Sequence, residues 1–332
     1  MSINSLHIRG TGHYAPEKVA TNEDFAAFLD TSDEWITTRT GISRRHIITS
    51  EPVWMMGVEA SKHAMAAADC KPEDIGMVIC TTLGGDFYTP STACIIQAQL
   101  GIPSSLSFDI NVACTAFCTG MDMARRYLYT GDVDNVLVVA AEAVTQFTNY
   151  EDRASCILFG DGAGACVVSR KDGLYGSIQG CDATGAEHIL YRKPRRTNPF
   201  NSFTGSFEND PYPVEHEKGF IMNGREVYKF ATRIMPEIVR KACDKAGITV
   251  DELDLLFPHQ ANLRIIETAG KNLGIDPDKI YVNIQEYGNS SSSTIPIGLD
   301  ECVRSGRLKR GDKICMVGFG AGLTYGAVVL EY

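Results

Sequence analysis

A thiol, an imidazole and a carboxamide stand in three separate segments of this chain, each where a strand-like run gives way to a turn or a helix. Cys114 lies in Asn-Val-Ala-Cys-Thr-Ala-Phe, His259 in Pro-His-Gln-Ala-Asn, and Asn289 in Tyr-Gly-Asn-Ser-Ser. A cysteine thiolate can attack and carry an acyl group, and imidazole and amide N–H groups can hydrogen bond to a carbonyl oxygen that gains negative charge. These residue types therefore suggest acyl-thioester chemistry, provided that the fold brings them together.

Cys114 precedes an amphipathic segment in which Phe117, Met121, Ala124 and Leu128 fall on one face. A cysteine at the start of a helix lies near the positive end of the backbone dipole and near unpaired N–H groups, and both favour the thiolate. Most cysteines in a chain that has 11 of them are small core residues. Here the small neighbours of the cysteine leave room for a substrate, so we expect a reactive thiolate.

His259 and Asn289 each have an ordinary structural explanation. A histidine after a buried strand is often a satisfied core side chain, and an asparagine beside Gly288 and Ser290–Ser293 is typical of a turn followed by a helix cap. Two observations favour a functional role. A dense polar run follows His259, as a polar cleft would require, and Asn289 matches the cysteine in an internal repeat of the chain.

The glycine-rich run 318–326, Gly-Phe-Gly-Ala-Gly-Leu-Thr-Tyr-Gly, follows a strand-like segment. It has neither the glycine spacing of a dinucleotide-binding turn nor the Gly-Lys-Ser/Thr of a phosphate loop. We interpret it as a tight turn whose backbone approaches a ligand and offers N–H donors. A second run at 159–165, Phe-Gly-Asp-Gly-Ala-Gly-Ala, is interpreted as a structural turn between packed strands.

Apolar runs rich in β-branched residues alternate with amphipathic runs, which predicts an α/β architecture with largely buried sheets. The predicted strands are Ile75–Cys80, Val136–Ala141, Ala163–Val168, Leu253–Phe257 and Lys313–Val317. The predicted helices are Val58–Asp69, Thr115–Tyr129, Val227–Ala246 and Leu263–Leu273.

The order of these elements repeats. A helix, a turn with an acidic pair and a buried strand occur twice, and each set is followed by a second matching unit. The offsets are 178 residues from Ile75 to Leu253 and 174 residues from Asp109 to Asn283. Chance matching of short α/β units is the alternative, but two units in the same order at nearly the same offset favour a duplication.

The repeat divides the chain into an N-terminal half, 1–172, that carries the cysteine and a C-terminal half, 173–332, that carries the histidine and the asparagine. Since sites in open α/β sheets form beyond the carboxyl ends of strands, we expect these ends to meet between the halves. The segment 191–219 breaks the pattern as an inserted loop, too long for an ordinary connection. We interpret it as an excursion near the site entrance.

Composition limits the possible functions. The chain has 332 residues, 44% of them hydrophobic, which suffices for a large core, and its net charge of −10 argues against nucleic-acid binding. The sequence contains no apolar run long enough to span a membrane and no secretory signal, so we expect no membrane association and a cytoplasmic location. The odd number of cysteines, without a Cys-x-x-Cys pair, indicates a reducing compartment and predicts no metal site.

Five motifs, in order, resemble the β-ketoacyl-acyl-carrier-protein synthase III family of the thiolase superfamily, over about Ile8 to Leu330. They are Asp30-Thr-Ser-Asp-Glu-Trp-Ile-Thr-Thr-Arg-Thr-Gly-Ile, Ala-Cys-x-x-Phe at Cys114, Phe159-Gly-Asp-Gly-Ala-Gly-Ala, Pro258-His-Gln-Ala-Asn-Leu-Arg-Ile-Ile and Gly288-Asn-Ser-Ser. The resemblance implies a thiolase-like duplicated five-layered α/β/α/β/α fold, a homodimer, and no cofactor, since acyl-CoA is a substrate. It also implies an acyltransferase that condenses an acyl-CoA primer with malonyl-acyl carrier protein, with loss of CO2, to initiate fatty acid synthesis.

The resemblance further implies a role for each matching residue. Cys114 would be the nucleophile, His259 and Asn289 would stabilise the enolate, and the backbone N–H groups of Cys114 and Ala321 would hold the oxyanion. The remaining roles are CoA binding by Trp35, Arg39, Arg153 and Asn262, an acyl pocket formed by Thr89 and Phe319, and carrier-protein docking by Gln260, Ala261, Asn262, Leu263, Arg264 and Lys229.

Two departures from the family pattern lie beside the nucleophile and in the glycine turn. Thr115-Ala116 stands where relatives usually have Ala-Gly, and Gly320-Ala321-Gly322 where they commonly have three glycines. These departures leave the primer open among acetyl, branched and longer acyl groups. Two other functions are a related condensing enzyme or acyltransferase of a polyketide or other specialised pathway, and a non-catalytic carrier-protein-binding partner. The intact Cys-His-Asn set counts against the second.

Overall fold

The structure, a computed structural model, describes residues 4–131, 133–191, 199 and 219–332. The strands are β1 (Asn4–Tyr14), β2 (Val19–Thr21), β3 (Arg44–His46), β4 (Met77–Thr81), β5 (Leu106–Ile110), β6 (Asn135–Ala143), β7 (Asp161–Asp172), β8 (Tyr175–Cys181), β9 (Ile189–Leu190), β10 (Ile221–Met222), β11 (Leu255–Pro258), β12 (Lys313–Gly320) and β13 (Thr324–Glu331). The helices are α1 (Asn22–Ala26), α2 (Asp33–Thr40), α3 (Val53–Ala67), α4 (Thr92–Gln99), α5 (Ala116–Thr130), α6 (Arg153–Cys156), α7 (Gly224–Ala246), α8 (Leu263–Leu273), α9 (Ile284–Tyr287) and α10 (Thr294–Arg304).

The first large sheet has the strand order β1-β7-β6-β4-β5. β4 is parallel to both β5 and β6, whereas β7 is antiparallel to both β6 and β1. Every residue of β4 and β6 is buried. Layers cover both faces of these strands, which is why their sequences are continuous apolar runs and not alternating ones.

The second large sheet repeats the arrangement of the first four of these strands, in the order β8-β13-β12-β11. β11 is parallel to β12, and β13 is antiparallel to both β12 and β8. Ile280 pairs in parallel with Leu256 of β11, in the place that β5 occupies in the first sheet. The matched pairing and order show that the chain is built from two copies of one unit, as the sequence repeat predicts.

Helices α5 and α10 lie between the two sheets and form the central layer. Their buried side chains, among them Phe117 and Met121 of α5 and Ile295 and Leu299 of α10, pack with residues from both sheets in one core cluster. Outside, α3 and α4 pack on the first sheet and α7 and α8 on the second, each with its own apolar cluster. The result is five layers, α/β/α/β/α.

The glycine-rich run 159–165 is mostly strand and not the turn that we predicted. Gly162 and Gly164 lie in β7, where α10 packs closely against the backbone. A Cβ atom on Gly164 would lie 2.8 Å from the Cβ of Pro296 and 2.9 Å from the backbone nitrogen of Ile297. The glycines are therefore needed for close packing between the two halves and not for a turn.

Every strand and helix predicted from the sequence has a counterpart, with boundaries that differ by at most five residues. The predicted division after residue 172 falls between β7 and β8 and stays a prediction as a domain boundary. The predicted insertion 191–219 lies outside the described residues except at its two ends and at residue 199. Among the helices of the described ranges, none is long and apolar enough to cross a membrane.

Candidate active site

A cavity of about 440 Å³ opens where strand ends of both sheets meet, and Cys114, His259 and Asn289 all line it. Cys114 follows β5, His259 directly follows β11, and Asn289 lies between α9 and α10. The fold thus brings together three residues that are far apart in the sequence. The site needs both halves, because the cysteine comes from one and the other two residues from the other.

Cys114 occupies a tight turn between β5 and α5. The preceding Ala113 has a left-handed backbone, with φ of 47°, and the Thr115 amide donates a hydrogen bond to the Val112 carbonyl at 3.2 Å. The thiol is half-buried at the cavity wall. The Ser291 hydroxyl donates to its sulfur at 3.5 Å, so the nucleophile of one half contacts the serine run of the other.

The surroundings of Cys114 correct the expectation of a resting thiolate. Burial raises the pKa of this thiol to about 12; the Ser291 hydrogen bond opposes the rise, and the charge of Glu142 adds to it. Removal from water disfavours the charged form of the sulfur. The thiol is therefore protonated at rest and must lose its proton during the reaction.

His259 is held at the end of β11 and is only 1% exposed. Its backbone amide donates to the Val317 carbonyl at 2.8 Å, which fixes the residue against β12. Burial lowers the pKa of the imidazole to about 3, because a charged ring is costly in a dry site. The ring is therefore neutral near pH 7 and carries a single proton.

The position of that proton depends on Thr294, whose hydroxyl oxygen lies 2.9 Å from Nδ1 of His259 and 2.9 Å from the Ser291 carbonyl oxygen. The hydroxyl has one proton, so it donates either to Nδ1 or to the carbonyl. When it donates to Nδ1, the ring proton is on Nε2, and Nε2 can donate to a ligand. When it donates to the carbonyl, the ring proton is on Nδ1 and Nε2 can only accept.

Asn289 is fixed through its backbone and one side of its amide. Its N–H donates to the Leu158 carbonyl at 2.8 Å, and its carbonyl accepts from the Gly160 amide at 3.1 Å. The Ser291 amide donates to Oδ1 at 2.9 Å. Because Oδ1 is engaged, the NH2 group of this asparagine is the part available to a ligand, and it is a donor.

The end of β12, just before the glycine turn, packs against the backbone of Cys114. A Cβ atom on Gly320 would lie 2.8 Å from the Cys114 nitrogen, and one on Gly318 would lie 3.1 Å from the Cys114 carbonyl oxygen. Ala321, the next residue of the turn, lines the cavity. Two backbone segments therefore meet beside Cys114.

Trp35 of α2 lies at the cavity wall together with two arginines. The guanidinium carbons of Arg39 and Arg153 lie 4.5 and 4.7 Å from the centre of its indole ring, a cation–π arrangement. Arg153 also lies 3.6 Å from the Asp30 carboxylate. Asn262 joins this group, since its amide donates to the Arg39 carbonyl at 3.1 Å. The four residues predicted to bind CoA thus form one cluster.

The predicted docking residues do not all lie at the surface. Arg264 is exposed at the cavity and donates from Nε to the Thr38 carbonyl at 3.2 Å. Lys229 is exposed on α7, 2.7 Å from the Glu226 carboxylate, and Ala261 and Leu263 are partly exposed.

Gln260 is the exception. The residue is only 2% exposed, so the prediction that it contacts a docked carrier protein is wrong. Its Nε2 donates to the carbonyls of Pro258 and Tyr281 at 2.8 and 3.1 Å, and its Oε1 accepts from the Asn283 amide at 3.2 Å. All of these bonds are internal, so Gln260 braces the segment that follows β11 and offers nothing to a docking partner.

The two residues predicted for an acyl pocket lie apart. Phe319 is buried at the cavity wall, with its ring centre 5.5 Å from that of His259 in an edge-on contact. Thr89 is exposed and is not among the residues that line the cavity. Of these two residues, therefore, only Phe319 lines the cavity of this chain.

Sequence reasoning missed three residues of the site, namely Ser291, Thr294 and Glu142. The serine run was interpreted only as a turn and cap, although it contacts the thiol and, through Thr294, the imidazole. Glu142 is buried at the end of β6 and accepts from the Ser292 hydroxyl at 2.6 Å. A lone acid in the apolar strand run was the signal for it, because such a residue requires buried partners.

Known proteins share this architecture and much of this sequence. Models of 3-oxoacyl-[acyl-carrier-protein] synthase III match residues 108–183, and models of its C-terminal part match residues 243–332. The chain is 42% identical over 332 residues to the β-ketoacyl-[acyl-carrier-protein] synthase III of Clostridium acetobutylicum, covering 99% of each. It is 43% identical to the Caldanaerobacter subterraneus enzyme of the same name, covering 98% of this chain and 97% of that one.

Among solved structures, the chain is similar to the 3-oxoacyl-[acyl-carrier-protein] synthase III of Aquifex aeolicus, with a TM-score of 0.90 and 40% identity over 99% of this chain and 100% of that one. The duplicated layers, with a cysteine, a histidine and an asparagine at their junction, have the thiolase-like fold of a condensing enzyme. The chain belongs to the β-ketoacyl-acyl-carrier-protein synthase III family.

Proposed function

We propose that this protein is a β-ketoacyl-acyl-carrier-protein synthase III that condenses an acyl-CoA primer with malonyl-acyl carrier protein and so starts fatty acid synthesis. The observation that carries the proposal is the meeting of Cys114, His259 and Asn289 in one cavity, in a chain 42% identical over its whole length to an enzyme of that name. A nucleophile and two fixed hydrogen-bonding groups are the parts that such a reaction needs.

In the first half-reaction, the Cys114 sulfur attacks the thioester carbon of the acyl-CoA. The backbone amides of Cys114 and Ala321 hydrogen bond to the oxygen that becomes negative in the tetrahedral intermediate. The carbon–sulfur bond to CoA then breaks, and the acyl group stays on the enzyme as a thioester. The close packing of the end of β12 against the Cys114 backbone, with Ala321 as the next residue, supports this assignment.

In the second half-reaction, the malonyl group loses CO2 and its thioester oxygen gains the negative charge of an enolate. Asn289 donates from its amide NH2, and His259 donates from Nε2 in the tautomer in which Thr294 donates to Nδ1. Both donors are neutral and fixed before the charge develops, so little reorganisation is needed. The carbanion attacks the acyl-cysteine, forms the new carbon–carbon bond and releases the β-ketoacyl product.

The rest of the substrate enters along the arginine side of the cavity. Trp35 and Arg153 offer stacking surfaces for the adenine, and Arg39 offers charge near the phosphates. Arg264, exposed at the cavity, and Lys229 on the adjacent α7 form the cationic part of a docking face for the acidic carrier protein. Asn262, next to Arg264, is placed to contact the pantetheine arm.

We also propose a homodimer. β5 is one of the two edge strands of the first sheet as described, and Leu106 at its start is 50% exposed. Phe87, in the segment that also carries Thr89, is 56% exposed. An open sheet edge beside exposed apolar side chains is typical of an interface. Pairing at this face would bring the Thr89 loop of one copy towards the cavity of the other.

The alternatives have less support. A non-catalytic binding partner would not need the buried donors of the site, and a specialised-pathway enzyme is less favoured by relatives at about 42% identity over the whole chain. We place the protein in the cytoplasm, which fits its 11 free cysteines.

Intact-mass measurement after incubation with acetyl-, branched and longer acyl-CoAs tests the proposed function. We expect one acyl group on the wild type and none on Cys114→Ser, whereas His259→Ala should be acylated but should not decarboxylate malonyl-acyl carrier protein. If no acyl-CoA increases the mass of the wild type, the proposed function is refuted. The preferred acyl-CoA would also identify the primer.

A further inference from the structure

Ser291 reaches the surroundings of all three central residues of the site, with a different polar group for each. Its hydroxyl donates to the Cys114 sulfur at 3.5 Å, and its amide donates to Oδ1 of Asn289 at 2.9 Å. Its carbonyl oxygen lies 2.9 Å from the Thr294 hydroxyl, which lies 2.9 Å from Nδ1 of His259. The backbone of Ser291 therefore serves the two residues of its own half, whereas its side chain reaches the nucleophile of the other half.

The backbone of Ser291 is held in a conformation that serine rarely adopts. Its φ of 54° is left-handed, and a non-glycine residue keeps such a conformation only where the surrounding contacts fix it. The residue is 1% exposed and lies at the cavity wall. The contact with the sulfur is therefore made by a buried and constrained turn, so the hydroxyl is in place before any charge develops.

A hydroxyl that donates to sulfur favours the thiolate over the thiol. The sulfur of a thiol is a weak acceptor, whereas a charged acceptor forms a stronger hydrogen bond. The bond from Ser291 to Cys114 is therefore strongest when the sulfur is negative. Burial raises the pKa of the Cys114 thiol to about 12, and the Ser291 hydrogen bond opposes that rise, which agrees with the geometry.

We propose that the Ser291 hydroxyl is a catalytic hydrogen-bond donor that stabilises negative charge on the Cys114 sulfur, both when the sulfur attacks the acyl-CoA and when condensation releases it. This inference rests on the proposed function. It gives the hydroxyl a role in both bond changes at the sulfur. It gives the hydroxyl no role in the loss of CO2, because that charge develops on the oxygen of the malonyl thioester.

The bonds and protons balance over the two half-reactions. In acylation, the thiol loses its proton to solvent through the cavity, and an electron pair of the sulfur forms the bond to the acyl carbon. The bond from that carbon to CoA breaks with its electron pair on the CoA sulfur, which takes a proton from solvent. In condensation, loss of CO2 supplies the electron pair for the new carbon–carbon bond, and the bond from the acyl carbon to Cys114 breaks with its electron pair on sulfur. That sulfur then takes a proton from solvent, and the Ser291 hydroxyl keeps its own proton throughout.

The test separates the two half-reactions of the full-length protein, with single-turnover acylation by acetyl-CoA on one side and primer-free decarboxylation of malonyl-acyl carrier protein on the other. Ser291→Ala removes the hydroxyl but keeps the amide that holds Asn289 and the carbonyl that contacts Thr294. Acylation should slow by about 10- to 150-fold, the range for loss of a hydrogen bond to a charged group. Decarboxylation should stay within about threefold of the wild-type rate. Unchanged acylation, or equal loss of both half-reactions in the folded variant, would refute the proposal.

The same serine run offers a matched control. Ser293 is also buried, but its hydroxyl donates to the carbonyl and the hydroxyl oxygens of Ser290, both at 2.8 Å. Ser293→Ala should therefore keep both half-reactions close to the wild-type rates. Equal slowing of acylation in Ser293→Ala and Ser291→Ala would attribute the loss to a loosened turn and refute the proposal. Ser291→Gly, which removes the hydroxyl and suits the left-handed backbone, should be acylated as slowly as Ser291→Ala; wild-type acylation of the glycine variant would contradict the proposal.

Alkylation by iodoacetamide measures the charge on the sulfur without any substrate, because the thiolate is the reactive form. At one fixed pH, Cys114 of Ser291→Ala should be alkylated about 10-fold or more slowly than that of the wild type. Mass spectrometry of the peptides separates Cys114 from the exposed Cys94 and Cys181, whose rates should not change. Equal or faster alkylation of Cys114 in Ser291→Ala would overturn the proposal. Failure of the wild type to become acylated, with slower alkylation in Ser291→Ala, would instead refute the proposed function and support the hydrogen bond to the thiolate.

Discussion

Replacing Thr294 with valine tests whether the tautomer of His259 controls decarboxylation. Valine has nearly the shape of threonine but lacks the hydroxyl that lies 2.9 Å from Nδ1. Without the Thr294 hydroxyl, no side chain at this position donates a hydrogen bond to Nδ1 of His259. No contact then holds the ring proton on Nε2, and it can move to Nδ1. In that tautomer Nε2 has no proton to donate to the enolate.

The expected loss in the rate of decarboxylation follows from the burial of Thr294 and His259. Thr294 is 4% exposed and His259 is 1% exposed, so water cannot replace the lost hydroxyl. Leaving one buried polar group unpaired costs about 1–3 kcal/mol, which corresponds to a loss of about 5- to 150-fold in rate if the whole cost falls on the transition state. Because burial lowers the pKa of His259 to about 3, the ring is neutral throughout the assay range, and raising the pH should not restore the rate.

The assay is release of CO2 from malonyl-acyl carrier protein, with acylation by acetyl-CoA measured in parallel. Thr294→Val should lose decarboxylation while its acylation changes by less than about threefold, since a few tenths of a kcal/mol is an ordinary background effect. Thr294→Ser keeps the hydroxyl and should recover most of the decarboxylation. Wild-type decarboxylation by a folded valine variant would refute the reasoning, and so would a serine variant as slow as the valine one.

Two further substitutions test the end of β12 beside the nucleophile and the nucleotide site. Gly320→Ala places a methyl group 2.8 Å from the Cys114 nitrogen and should slow acylation by about 5- to 150-fold, from the 1–3 kcal/mol typical of overpacking. Gly224→Ala, whose methyl meets nothing within 4 Å, should be acylated at close to the wild-type rate; equal slowing of acylation in the two variants would contradict the packing argument. Trp35→Ala should raise KM for acyl-CoA about 10-fold or more, since stacking on a base contributes about 1–3 kcal/mol. The same change should leave turnover of an acyl-pantetheine thioester, which has no adenine, unaltered, and an equal loss with both substrates would exclude stacking by Trp35 and Arg153.

The sequence was sufficient to predict the duplicated fold and the three residues at its centre. Strand ends carry sites in α/β proteins, so Cys114 and His259 could be placed from local patterns alone. Asn289 required the repeat, because glycine and serine neighbours explain an asparagine equally well as a cap. The matched strand orders of the two sheets give this repeat its structural basis.

The properties that the sequence could not supply depend on contacts between distant segments. The local pattern at Cys114 favours a thiolate, whereas burial between the two halves raises the pKa of its thiol to about 12. Gln260 looked like a surface amide, yet Asn283, 23 residues later, helps to hold it inside. Glu142 and Ser292 are 150 residues apart, and no local pattern indicates such a bond.

The protonated state of Cys114 also affects how the protein withstands oxidants. Peroxides attack the thiolate and not the thiol, so susceptibility to sulfenic acid formation follows the ionised fraction. A rise in pKa from an ordinary value of 9.0 to about 12 lowers that fraction about a thousandfold at neutral pH. Unfolding would remove this shielding, so damaged or incompletely folded copies should accumulate oxidised Cys114 long before intact ones do.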